Sequence, residues 1–160
     1  MRAARLFLRY AAQYGVPEIV GFVNSPPAAW TSNGKSCGGS LKSASTQAYA
    51  TYLADIVTHF ASEGVAIDHL SPMNEPRVSF SACNQEGMLV PAGQRDDIVR
   101  AVGHVLASRA PSTRVIADES DHVDKFLSEV PQWSSSAPAP SATRDGRAER
   151  GAGHGHVARR

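Results

Sequence analysis

Only two cysteines, Cys37 and Cys83, occur in 160 residues, too few to define a disulfide scaffold. Neither belongs to a Cys-x-x-Cys pair, and the six histidines show no ligand spacing, which argues against a zinc site. No apolar run approaches the ~20 residues needed to cross a bilayer, so no membrane partner is expected. Charge of one sign is also missing. Sixteen Lys and Arg stand against 15 Asp and Glu, for a net charge of +1. Without a basic stripe and interleaved aromatics, nucleic acid is not an expected partner. No Gly-x-Gly-x-x-Gly or phosphate loop follows any apolar segment, and no cofactor is expected. Met1 to Tyr14 carries early arginines, but Arg9 interrupts its apolar patch and no small-residue cleavage site follows. It reads as an amphipathic helix, not as a signal peptide.

What is present suits one domain, which usually takes about 100–150 residues. The spacing predicts helices over 3–14, 45–63 and 94–110, and a further one beginning within 122–130. Apolar strands are predicted over 18–23, 65–73 and 113–117. In the helix 45–63, Tyr49, Tyr52, Leu53, Ile56, Val57 and Phe60 recur on one face, and Gly64 stands where a terminator belongs. Tyr49, Tyr52 and Phe60 are therefore core residues. In 94–110, Ile98, Val102, Val105 and Leu106 share a face that Pro111 closes off. Strands alternating with helices, and apolar throughout, imply parallel pairing under a helical cover. The long connections, 24–44 and 74–93, follow strands, whereas the returns from helix to strand are tight. That asymmetry fits a (β/α)₈ barrel with its chemistry on the C-terminal loops. A doubly wound sheet fits the alternation equally well.

After Trp133 the composition changes to Ser/Ala/Pro and then Arg/Gly/Ala, with Val157 the only large aliphatic residue. Such a segment cannot bury enough apolar surface to offset its ordering entropy. Two regions follow: a domain over 1–133 and a disordered low-complexity tail over 134–160, in which His154 and His156 are a chance cluster.

The most informative stretch is Leu70-Ser71-Pro72-Met73-Asn74-Glu75-Pro76. It reads as a buried strand that stops at a proline and delivers an amide and a carboxyl group side by side at its C-terminal end. That pair suits protonation of a glycosidic oxygen by Glu75, with Asn74 hydrogen-bonding a neighbouring sugar hydroxyl. Asn before Glu-Pro is also a turn or helix-cap signal.

Three segments in order, Phe22-Val23-Asn24-Ser25-Pro26-Pro27, Leu70 to Pro76, and Gln85-Glu86-Gly87-Met88, resemble glycoside hydrolase family 30. Within it they are most similar to the fungal endo-β-1,6-galactanase type. The resemblance runs from about Arg5 to about Val130. It implies a (β/α)₈ barrel, present here as about strands three to five with their helices, and an O-glycoside hydrolase that retains configuration at a β-linked galactan. Glu75 would be the general acid/base, at the end of barrel strand four, and Asn74 would contact the sugar 2-hydroxyl. Asn24, Trp30, Glu86 and Glu119 would line substrate subsites. Ala28 and Ala29 stand where relatives often carry large aromatics, so the sugar platform at Trp30 is shifted or weakened.

Retaining hydrolysis needs a second carboxylate about 5–5.5 Å from the first. In this clan it sits at the end of strand seven, far downstream, and the resemblance ends before that position. A complete barrel takes about 250 residues. Glu119 follows the very next strand, which assigns it to lining or support, with Asp118 and Asp121 as turn and cap residues. The isolated chain is accordingly expected to be inactive, or to bind carbohydrate without turnover. The resemblance further implies a secreted monomer acting on a polysaccharide. In such a protein Cys37 and Cys83, in the loops after strands three and four, would be joined at the barrel mouth.

Overall fold

A computed structural model describes residues 2–117 and 119–134, with side chains described from Arg5 to Glu129 apart from Asp118. The tail from residue 135 onward and the turn role assigned to Asp118 lie outside the described residues. Elements alternate as the sequence predicts. They are α1 (Arg2–Gln13), β1 (Val20–Phe22), β2 (Cys37–Gly39), α2 (Thr46–Ser62), β3 (His69–Ser71), β4 (Gly87–Met88), α3 (Ala92–Arg109), β5 (Arg114–Val115) and α4 (Val123–Ser134). Two short 3₁₀ turns, Ala28–Trp30 and Ser43–Ser45, punctuate the first long connection.

β1, β3 and β5 form one parallel sheet in the order β1-β3-β5, with β3 in the centre. Phe22 pairs with Ser71 and Leu70 pairs with Val115. The strands are shorter than their apolar segments because the flanking residues are anchored by other means. Asp68 accepts the Ile19 amide through its carboxylate at 2.8 Å, and the Thr113 hydroxyl donates to the Ile67 carbonyl at 2.7 Å. These bonds align the N-terminal edges of the three strands, so their C-terminal edges fall together.

The helices cover one face of this sheet. α2 buries Tyr49, Ala50, Leu53, Ala54 and Val57, and ends at Gly64, whose φ of +80° permits the reversal into Val65. α3 buries Ile98, Val102, Val105 and Leu106 and packs against α2. With Ile67, Leu70 and Met73 from the β3 segment they make one core. Among the described residues no helix is long and apolar enough to cross a membrane.

A second, two-stranded parallel pair, β2 with β4, lies in what the sequence predicts to be loops. Cys37-Gly38-Gly39 carries no apolar alternation that would mark a strand. Its pairing is fixed from outside, by the Gly87 amide donating to Ser36 (3.0 Å), the Leu89 amide donating to Gly39 (2.9 Å) and a disulfide between Cys37 and Cys83. α4 begins within the predicted 122–130 and runs to Ser134.

Candidate active site

Ser71 ends β3 fully buried, and Pro72 and Met73 continue inward with it. The Pro72, Met73 and Pro76 carbonyls, which this turn takes out of the ladder, each find a partner. The Tyr49 hydroxyl, buried in α2, donates to the Pro72 carbonyl at 2.7 Å. The Ser71 hydroxyl donates to Met73 at 3.1 Å, and the Val90 amide donates to Pro76 at 2.8 Å. Burial pushes the Tyr49 phenol well above its ordinary range, with the neighbouring Tyr52 adding to the effect, so it stays a donor at any physiological pH. Leaving such a buried carbonyl unpaired would cost about 1–3 kcal/mol.

The turn delivers Asn74 and Glu75, both half-buried, at the C-terminal edge of the central strand. Asn74 forms a parallel bridge with Glu119, and the Glu75 amide donates to the Glu119 carbonyl at 2.8 Å. The sheet therefore reopens beyond β5 just at these residues. On the other side, the Val23 amide donates to the Ser71 carbonyl at 3.1 Å, extending the β1–β3 pairing to the residue before Asn24. Asn24, Asn74, Glu75 and Glu119 thus follow three adjacent parallel strands at the same edge of the sheet. No side-chain hydrogen bond joins Glu75 or Asn74 to another described residue, which leaves both free to meet a ligand.

Glu75 has φ +42°. A non-glycine residue in the left-handed region costs on the order of 1–3 kcal/mol and persists only where its surroundings over-determine it. Sequence reasoning had no local signal for this, since Glu is not a residue that favours the conformation. Phe80 and Cys83 in the same loop are also left-handed.

The other candidate residues are placed differently. Trp30 closes a 3₁₀ turn half-buried against the core, with its ring edge-to-face with Tyr52 at 5.7 Å. Much of its surface is therefore committed to α2, unlike a bare sugar platform. Glu86 is exposed and immediately precedes β4. The glycine after it has a steric reason: a Cβ on Gly87 would stand 2.3 Å from the Phe80 ring. Cys37 and Cys83 are bonded across this pair of loops, so the segments carrying Trp30 and Glu86 are held together.

An ion triad escaped the sequence reading. Glu129 of α4 and Arg95 of α3, 7% and 4% exposed, meet at 2.5 Å, and Arg77, two residues after Glu75, reaches the second Glu129 oxygen at 2.8 Å. Partners 34 and 52 residues apart carry no local signal. Among the described residues no group of three or more His, Cys, Asp or Glu is placed to hold a metal ion.

A half-buried carboxyl group beside an amide, at the C-terminal edge of a parallel α/β sheet, is an arrangement used by sugar hydrolases. Residues 2–136 match O-Glycosyl hydrolase family 30, and the chain belongs to that family. No curated protein matches it. Among solved structures it is similar to the catalytic domain of the family 30 xylanase C from Talaromyces cellulolyticus, with TM-score 0.70 and 23% identity over 81% of this chain and 32% of that one. It is similar to a family 30 subfamily 8 xylanase from Clostridium acetobutylicum, with TM-score 0.59 and 28% identity over 68% and 27%. The endo-beta1,6-glucanase BT3312 aligns with TM-score 0.68 and 18% identity over 79% and 30%. This chain spans at most about a third of the length of these relatives.

Proposed function

We propose that the chain carries the acid/base half of a retaining endo-glycosidase site of the β-1,6-galactanase type, on part of a (β/α)₈ barrel. The observation that supports this most is the shared edge: Asn24, Asn74, Glu75 and Glu119 follow the C-terminal ends of three neighbouring parallel strands. Glu75 protonates the leaving glycosidic oxygen and then, as carboxylate, activates water. Asn74 holds the sugar 2-hydroxyl, and Asn24, Glu86 and Glu119 line the cleft. β-Galactan is preferred over the xylan and β-1,6-glucan of the similar enzymes because of Asn24-Ser25-Pro26-Pro27 and Gln85-Glu86-Gly87. The disulfide supports an oxidising compartment, in keeping with a secreted protein.

A second reading, carbohydrate binding without turnover, is favoured by the position of Glu119. It meets the Glu75 turn through its main chain, as a supporting residue would, and not as a facing nucleophile. Incubation with β-1,6-galactan, xylan and β-1,6-glucan tests the proposal. Preferential binding of galactan is expected, and any release of reducing ends should vanish in Glu75→Gln. Preference for either other glycan reassigns the substrate. Binding of none of the three removes the glycosidase reading.

A further inference from the structure

The strained conformation of Glu75 needs restraint on both sides, and only the upstream restraints belong to the sheet. Before it, the chain is held by the β3 ladder and by the Glu75 amide on the Glu119 carbonyl. After it, two grips act on consecutive residues. The Val90 amide holds the Pro76 carbonyl, and Glu129 holds the Arg77 guanidinium. These grips share a base, because Arg95 binds both the Val90 carbonyl through Nε (2.9 Å) and the other Glu129 oxygen through Nη1. Buried Arg95 thus couples the α4 carboxylate to the segment after β4 that clamps Pro76. Arg77 itself is partly solvent-exposed, so its burial does not explain its pairing.

The geometry points to Arg77 and Glu129 as positioning residues for Glu75: their ion pair fixes the downstream side of the acid-bearing turn and keeps its carboxyl group at the sheet edge. This rests on the glycosidase reading, in which Glu75 is the proton donor. A charged tether suits the task because it fixes direction, whereas apolar packing of an exposed arginine stem would not.

Amide hydrogen exchange of the full chain tests the tether at single residues. Arg77→Met removes the link while leaving the Arg95–Glu129 pair intact. Glu75 and Val90 amides should then exchange at least about tenfold faster, with Leu53 and Val102 in the helix interiors unchanged. Arg77→Lys should restore most of the protection, which a loss of mere bulk would not allow. Wild-type rates at Glu75 and Val90 would overturn the inference. So would equal acceleration at all four amides, or failure of lysine to restore protection. A wild-type chain that binds no glycan would remove the glycosidase reading while leaving the exchange rates as they are, so the two failures are distinguishable.

Discussion

At the scale of single residues, the site combines a satisfied backbone with an unsatisfied side chain. Pro72, Met73 and Pro76 have every carbonyl engaged, and Glu75 stands among them with a strained backbone and a free carboxyl group. That combination separates stability from chemistry. Glycine adopts positive φ without penalty, although it is more flexible when unfolded. Glu75→Gly is therefore expected to stabilise the fold by about 0.5–1 kcal/mol in urea unfolding while abolishing any proton donation. A loss of stability on that substitution would show that the strain at Glu75 is smaller than the unfolded-state entropy that glycine adds. The Asn-Glu pair itself was legible in the sequence, because a proline-terminated apolar run is a local signal. Its left-handed φ was not, since it is set by Glu119, Val90 and Glu129, residues 15 to 54 positions away.

At the scale of elements, α2 and α3 were readable because their apolar residues recur at helical spacing and stop at Gly64 and Pro111. β2 and β4 were not, because glycines and a disulfide create that pair from outside the local sequence. Removing the cross-link with Cys37→Ala and Cys83→Ala frees a loop of about 46 residues and should cost about 4 kcal/mol by loop-closure entropy. Equilibrium unfolding in oxidised and reduced buffer would check this, and wild-type stability in the double variant would contradict it. At the opposite end of the molecule, Arg5 of α1 binds Glu63 at the end of α2. The hydrogen bond from Arg5 holds the Glu63 carboxyl below its usual range, helped by the charges on Arg5, His59 and Arg9 and opposed by desolvation. With the folded value depressed, this contribution is complete above the ordinary carboxylate range and is lost as pH falls through the folded value. The melting difference between wild type and Glu63→Gln should thus be present near about pH 6 and shrink towards about pH 2.5. A constant difference across that range would exclude the ion pair as its source.

At the scale of the whole molecule, the three-stranded sheet has outer edges at β1 and β5 that no other described strand pairs, and Val20 and Phe22 are exposed. Such edges and apolar faces favour association with further strands. The parallel α/β architecture was readable from alternation alone. Which side chains meet at the sheet edge needed the register, and the register needed long-range anchors such as Asp68 and Thr113. The reading that Glu75 and its neighbours form a sugar site is tested most directly by titrating a β-1,6-galactooligosaccharide into isotopically labelled chain and following amide resonances. Saturable shifts centred on Asn24, Asn74, Glu75 and Glu119 are expected, weakened by Asn74→Ala. Shifts confined to other surfaces, or none at millimolar saccharide, would contradict it.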